Sequence, residues 1–287
     1  MEITIGICAY NEQANIAKLL KKLLNQQLED IAIKEIIVVS SGSTDNTNQI
    51  VKSIAEQNPK VKLITEDRRC GKVSGINKII KQAKTRIIVL ISADVLPKNN
   101  TIHEICQPLK DRKVGIVGCR PIPVNKANTW LGFAVNLVWY LHHQIALKSP
   151  KFGECIAFRN IIKQLPRTAV DEEQIAALIS KKGYKLSYAP KAIVLNKGPE
   201  NIADFIKQRR RIFAGHLALS KKFGYKPPTM EHLEIAKLII SQIDFKHPFK
   251  TSFAIVVEVI SRLLGYYDFL TGKQHEIWKI ANSTKQL

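Results

Sequence analysis

Over the first hundred residues, short apolar runs rich in isoleucine and valine alternate with stretches whose apolar residues recur every three or four positions. The runs at 3–9 (ITIGICA), 35–40 (EIIVVS), 61–65 (VKLIT) and 86–92 (RIIVLIS) lack the in-and-out alternation of a half-solvated strand. They predict strands buried on both faces of a parallel sheet. Between them, Ile16, Leu19, Leu20, Leu23 and Leu24 mark one helix face, and further helices are predicted from Thr44 to Gln57 and from Val73 to Ala83. Strand and helix in strict alternation predict a doubly wound α/β fold.

The second half is less regular. It predicts strands at Val114 to Cys119 and Glu154 to Phe158, helices from Trp130 to Leu147 and from Asp171 to Lys182, and two short strands near Leu186 and Ile193. From Asn201 onward the pattern is helical, broken by Pro227 and Pro228. That break divides the chain into a catalytic body at 1–226 and a C-terminal helical appendage at 227–287. The two longest apolar-rich stretches, Ala127 to Leu147 and Thr251 to Leu270, are interrupted by Asn136, His142 and His143, and by Glu258 and Arg262. Neither is expected to cross a bilayer.

Composition adds the next constraint. With 287 residues, 45% of them apolar, the chain can bury a sizeable core, so a disordered tail is excluded. Lysine and arginine number 44 against 24 acidic residues, a formal charge of +20 that calls for an anionic partner. Nucleic acid, an anionic membrane surface and phosphorylated substrates all fit. The basic residues are not interleaved with aromatics and no nucleic-acid motif accompanies them, so nucleic acid is not expected. The five cysteines are odd in number and widely spaced, which reads as reduced thiols. The N-terminus has a strand pattern without a basic leader, and a cytoplasmic location is expected.

In doubly wound sheets, ligands gather where strands end and helices begin. Polar turns follow three of the predicted strands: Ala9-Tyr10-Asn11-Glu12, Ser40-Ser41-Gly42-Ser43-Thr44-Asp45 and Ser92-Ala93-Asp94. Asp45, in the first turn of its helix, reads either as a cap or as a nucleotide contact, and Asn11 and Glu12 carry the same two readings. Gly71 and Lys72 open the helix that contains Asn77, and a lysine beside helix-terminal amides suits a diphosphate.

Taken in order, these turns, together with GYKLSYAPKA and QRRRIFAG further on, resemble the inverting family 2 glycosyltransferases of the GT-A fold from about Ile3 to Gly215. The resemblance implies a Rossmann-like, mostly parallel sheet and a nucleotide-sugar donor, UDP- or GDP-linked. It places that donor against Ala9, Tyr10, Asn11, Glu12, Ser41, Asp45, Lys72, Asn77, Ser92, Ala93, Gln208 and Arg211. It also implies Mg²⁺ or Mn²⁺ held by Asp94, the last position of a DxD-like motif whose first acid is here Ser92. Ser40 and Ser41 likewise replace a usual acidic pair, so the nucleotide base stays open.

Inverting transfer needs a carboxylate to take the acceptor's proton. Counting back from Gly183 puts Glu172 at the family's base position with Asp171 beside it, while both also read as helix-N-terminal acids that favour the dipole. Gln208 to Ile212 resembles the QxxRW element of the processive branch, with Ile212 in place of the tryptophan. Trp130, Trp139, Tyr140, His142 and His143 line an acceptor site or pack in the core. The segment ending in Tyr266, Tyr267 and Phe269, with Trp278 beyond, either packs on the body or lies in a bilayer interface. The expected acceptor is a glycan or a lipid-linked hydroxyl at the cytosolic membrane face. A nucleotidyltransferase lacks support because no glycine-rich loop follows the first strand. A nucleotide-binding relative without activity, or a basic nucleic-acid-binding protein, is the remaining alternative.

Overall fold

The computed structural model describes residues 1–230, 237, 247–273, 275–277 and 284; Trp278 lies outside them. The predicted alternation is present as β1 (Glu2–Ala9), α1 (Ile16–Leu24), β2 (Ala32–Ser41), α2 (Thr47–Gln57), β3 (Val61–Glu66), α3 (Lys72–Gln82) and β4 (Ile87–Ser92). These four strands pair in parallel in the order β3-β2-β1-β4. Ile3, Ile5 and Ile7 of β1 pack on Leu19, Leu20 and Leu23 of α1 on one side of the sheet. Ile76 and Ile79 of α3 cover the other side with Val39, Ile88 and Leu90. Helix α2 begins three residues later than its pattern predicts, because the backbone of Thr44 and Asn46 is bound to Asn11 and Gln13 of the neighbouring turn.

The rest of the sheet mixes directions. After β5 (Val95–Pro97) and α4 (Thr101–Cys106), two elements too short for their pattern to announce, come β6 (Val114–Pro123), α5 (Trp130–Lys148), β7 (Cys155–Arg159), α6 (Asp171–Lys181) and β8 (Lys185–Asn196). The full order is β3-β2-β1-β4-β7-β6-β8-β5, with β7 antiparallel to both β4 and β6. In place of two short strands near Leu186 and Ile193 there is one strand, β8, which slips register against β6 after Gly118. Pro190 falls in that slip, where a residue without an N–H donor costs no ladder bond.

Helices α7 (Ile202–Phe223) and α8 (Pro248–Leu270) close the described chain. Ala254 and Val257 of α8 join Phe205 of α7 and Ala134 and Val135 of α5 in a separate apolar cluster. Arg209 grips Glu258 with two bonds of 2.7 and 2.8 Å, and Arg262 adds a third at 2.8 Å. Burial alone would raise the Glu258 pKa, but the two guanidiniums outweigh it and hold it down at about 2. Arg210 forks onto Asp268 in the same way. Gly265 permits this closeness, since a Cβ there would lie 2.7 Å from the Arg210 carbonyl oxygen. Among the described residues no helix is long and apolar enough to cross a membrane.

Candidate active site

The turns after β1 and β2 are sewn to each other. Asn11, held in the left-handed region at φ 53°, accepts from the Thr44 amide through Oδ1 at 2.8 Å, and its own amide donates to the Ser43 hydroxyl at 3.1 Å. Asp45 accepts from the amides of Thr47 at 3.0 Å and Gln13 at 3.1 Å, so capping and loop bracing occupy both of its oxygens. The Glu12 amide donates to Thr47 Oγ1 at 2.8 Å. Ala9 is buried at the end of β1, and the Tyr10 ring lies under the Arg69 guanidinium, 4.3 Å from its centroid. Ser41 is buried and accepts from the Cys70 amide at 2.9 Å. Ser40 donates to the Ser43 hydroxyl at 2.8 Å, so both serines tie turns of this edge together.

Helix α3 starts at Gly71, whose φ of 86° suits glycine and whose absent side chain leaves room for Ile277; a Cβ would come within 3.2 Å of it. Lys72, the expected diphosphate partner, reaches the acids of α6 and lines a cavity beside them. Its ammonium lies 2.7 Å from Asp171 Oδ2 and 2.6 Å from Glu172 Oε1, at the first turn of α6. Burial would lower the Lys72 pKa, but the two carboxylates outweigh it and drive it well above the usual lysine value. The acids themselves diverge. Burial and the nearby Glu172 raise Asp171, against the pull of Lys72. Burial also acts to raise Glu172, but Lys72, the helix backbone and Arg211 outweigh it and leave it below the ordinary carboxylate range. Glu172 lines a cavity with Lys72, Cys8, Ser92 and Glu154, whereas the Asp171 side chain is 4% exposed.

Asn77 is likewise used inside the protein: its amide donates to the Leu165 carbonyl at 3.0 Å and its oxygen accepts from the Leu165 amide at 2.7 Å. It thereby clamps the loop leading to α6. The run 208–211 fans out around α7. Gln208 lines a second cavity with Asp94, Trp139, Glu154 and Asn196, while Arg209 and Arg210 hold α8. Arg211 donates to the Ala169 carbonyl at 2.9 Å, beside the acids of α6.

Ser92 ends β4, and the buried Ala93 with Asp94 forms the turn into β5. The residue that sequence reasoning missed is Glu154. It precedes β7 with a left-handed φ of 60°, its carbonyl accepts from the Ser92 amide at 2.8 Å, and it borders both cavities. Burial, reinforced by Asp94 and Glu172 and opposed by Lys72, raises its pKa to about 7. No motif announced it, because only the β4–β7 pairing brings it to Asp94. Ser92, Asp94 and Glu154 offer oxygen donors only, the set that suits a hard divalent cation.

The expected acceptor residues separate. Trp139 borders the Asp94 cavity, His142 is buried against Trp139 with ring centroids 5.1 Å apart, and His143 pairs with the Tyr188 hydroxyl at 2.8 Å. Trp130 and Tyr140 are exposed. All five cysteines are free; Cys70 is exposed, and burial pushes the Cys8 thiol up to about 12.

Comparison with known proteins agrees with this geometry. The chain is 27% identical over 237 residues to the poly-beta-1,6-N-acetyl-D-glucosamine synthase of Staphylococcus aureus, covering 77% of this chain and 56% of that protein. It is 24% identical to the probable glycosyltransferase YdaM of Bacillus subtilis, covering 77% of this chain and 57% of that one. The chain thus spans about half the length of the curated relatives it matches. In fold it is similar to a mannosyltransferase from Pyrobaculum calidifontis, solved with GDP-Man and Mn²⁺, with a TM-score of 0.68, 21% identity, and 95% and 88% of the two chains covered. It is also similar to glucosyl-3-phosphoglycerate synthase from Mycobacterium tuberculosis, solved with Mn²⁺, UDP and phosphoglyceric acid, with a TM-score of 0.55, 18% identity, and 76% and 78% covered. The pattern of glycosyl transferase family group 2 matches residues 87–271, and that of glycosyl transferase family 2 matches residues 4–164, more than half of the chain. By that match the chain belongs to glycosyl transferase family 2, and by its strand order and structural likeness it has the GT-A fold.

Proposed function

We propose that the protein is an inverting glycosyltransferase that moves one sugar from a UDP- or GDP-linked donor to an acceptor hydroxyl with the help of Mg²⁺ or Mn²⁺. The observation that carries this reading is the convergence of Glu172, Lys72, Glu154 and Asp94 on two adjoining cavities at the carboxyl end of β4. Asp94 would hold the metal, which when bound neutralises the departing diphosphate. Glu172, kept ionised by Lys72, accepts the proton of the acceptor hydroxyl as that oxygen bonds to the anomeric carbon. The bond from that carbon to the diphosphate oxygen breaks, and the nucleoside diphosphate leaves with the electron pair. Asp171 fixes Lys72 from the buried side. The GDP-Man, UDP and Mn²⁺ held by the two structurally similar enzymes support the donor and metal classes.

A thermal-shift screen of UDP and GDP with and without Mn²⁺ tests the donor side, since a ligand bound only by the folded state raises its stability with the logarithm of concentration. One nucleotide should raise Tm more with Mn²⁺ than without, and Asp94→Ala should lose that metal-dependent increment. Equal shifts with and without metal in both proteins would remove Asp94 from the metal site. Binding without any donor hydrolysis or transfer would favour the nucleotide-binding relative without activity.

The acceptor is proposed to be lipid-linked and reached from a membrane surface at the cytosolic face. Support comes from α8, whose outer side exposes Phe249, Val256, Val259, Leu263, Tyr267 and Leu270 at helical spacing, each 48% or more, on a chain of charge +20. Vesicles containing anionic phospholipid should bind the protein at low salt. Binding should weaken as salt rises, because surface attraction is screened within about 10 Å at 0.1 M. Leu263→Glu should weaken it further. Indifference to anionic vesicles at low salt would assign the positive charge to a soluble anionic partner.

A further inference from the structure

The family's metal motif carries its first acid where this chain has Ser92, and the sheet offers a replacement from the opposite strand. β4 and β7 run antiparallel and their last paired step is Ile91 against Cys155, which leaves Ser92 beside Glu154, the residue just before β7. The Ser92 amide donates to the Glu154 carbonyl at 2.8 Å and continues that pairing. Glu154 stands just before β7 in the left-handed region, so the pleat does not set its direction; its carboxylate nonetheless lies close enough to accept a hydrogen bond from the Ser92 side chain, which acts to lower its pKa against burial. A carboxylate on residue 154 can therefore reach the space that one on residue 92 would have served. Glu154 borders one cavity together with Asp94, and the other together with Ser92 and Glu172.

Charge points the same way. Four carboxylates (Asp94, Glu154, Asp171 and Glu172) and two cations (Lys72 and Arg211) act on one another here. Lys197 lines the Asp94 cavity as well, so the acids exceed the basic groups by four to three, an excess that draws a cation.

Resting on the assignment of Asp94 to the metal, we propose that Glu154 is the second carboxylate ligand of the divalent cation, so that the acid missing at Ser92 is supplied across the β4–β7 ladder. The ligand pair is then built from two strands instead of one turn, and Ser92 is left to hold the Glu154 backbone.

Mn²⁺ binding, read from loss of the free-ion electron paramagnetic resonance signal with and without UDP or GDP, tests this independently of turnover. Asp94→Asn and Glu154→Gln should each weaken Mn²⁺ binding by about 10-fold or more, the low end of what disturbing a metal site costs. Ser92→Asp combined with Glu154→Gln should recover most of the loss, because the carboxylate returns to the other side of the ladder. Weakening in Asp94→Asn with wild-type affinity in Glu154→Gln would overturn the role of Glu154 and leave Asp94 in place. Wild-type affinity in both would overturn the Asp94 assignment as well. Loss in Glu154→Gln without recovery in the double variant would make Glu154 a structural residue and also overturn the proposal. If Glu154→Gln alone does not fold, Ser92→Glu with Glu154→Ser, which exchanges the two side chains, decides the matter. Binding close to that of the wild type is expected, and weakening by 10-fold or more would refute the exchange.

Discussion

Glu172→Gln is expected to lower the turnover number by roughly 10²- to 10⁴-fold while leaving donor affinity nearly unchanged, the usual range for loss of a general base. The substitution keeps the shape of the side chain and removes only its capacity to take a proton. Of the two acids that hold Lys72, Glu172 is the one that lines the cavity and the one whose pKa is depressed, so it stands ionised and accessible. Asp171 is buried with a raised pKa, and Asp171→Asn should cost less turnover and more stability. Rates are to be measured with whichever nucleotide sugar the thermal screen selects, and donor affinity by calorimetry. Collapse of turnover in Asp171→Asn with near-normal turnover in Glu172→Gln would move the base by one residue. Normal turnover in both would end the catalytic reading of α6.

Lys72→Met should destabilise the fold by about 3 kcal/mol at pH 7, the lower end of the range for removing one partner of a buried ion pair. The lower end applies because the Lys72 side chain is 24% exposed. The variant leaves Asp171 and Glu172 adjacent and without their shared cation, so the pair must take up a proton at higher pH than in the wild type. A carboxyl whose folded pKa lies above its unfolded value gains stability as pH falls through that folded pKa. The deficit of Lys72→Met, measured by urea unfolding, should therefore shrink between pH 7 and pH 5. A constant deficit over that window would mean that Lys72 contributes packing and not charge.

The parallel half of the sheet was legible because its strands are buried on both faces and say so in unbroken isoleucine and valine. The order of the polar turns was legible as well, since each follows a strand directly. What each polar side chain does was harder to read. Lys72 and Asn77 stand on the expected helix, but their partners Asp171, Glu172 and Leu165 come from some ninety to a hundred residues away, and a local pattern carries no trace of such pairs. Pro190 made one strand look like two, because the slip that accommodates it exists only in the pairing with β6. Glu154 gave no signal at all. Its significance depends on which strand lies beside β4, and that partner enters the sheet out of sequence order and antiparallel.

The fan of side chains at 208–211 constrains how this sequence can vary. Successive residues of a helix turn by about 100°, so four consecutive positions address the cavity, two separate acids of α8 and the loop before α6, in that order. Deleting a single residue just before Gln208 would bring each of the three arginines to its predecessor's bearing. Arg209 would meet the cavity, Arg210 would meet Glu258, and Arg211 would face Asp268 and no longer Ala169. Substitutions can be tested here one position at a time, but changes of length cannot, because the helix works as a combination lock whose wheels share one axle.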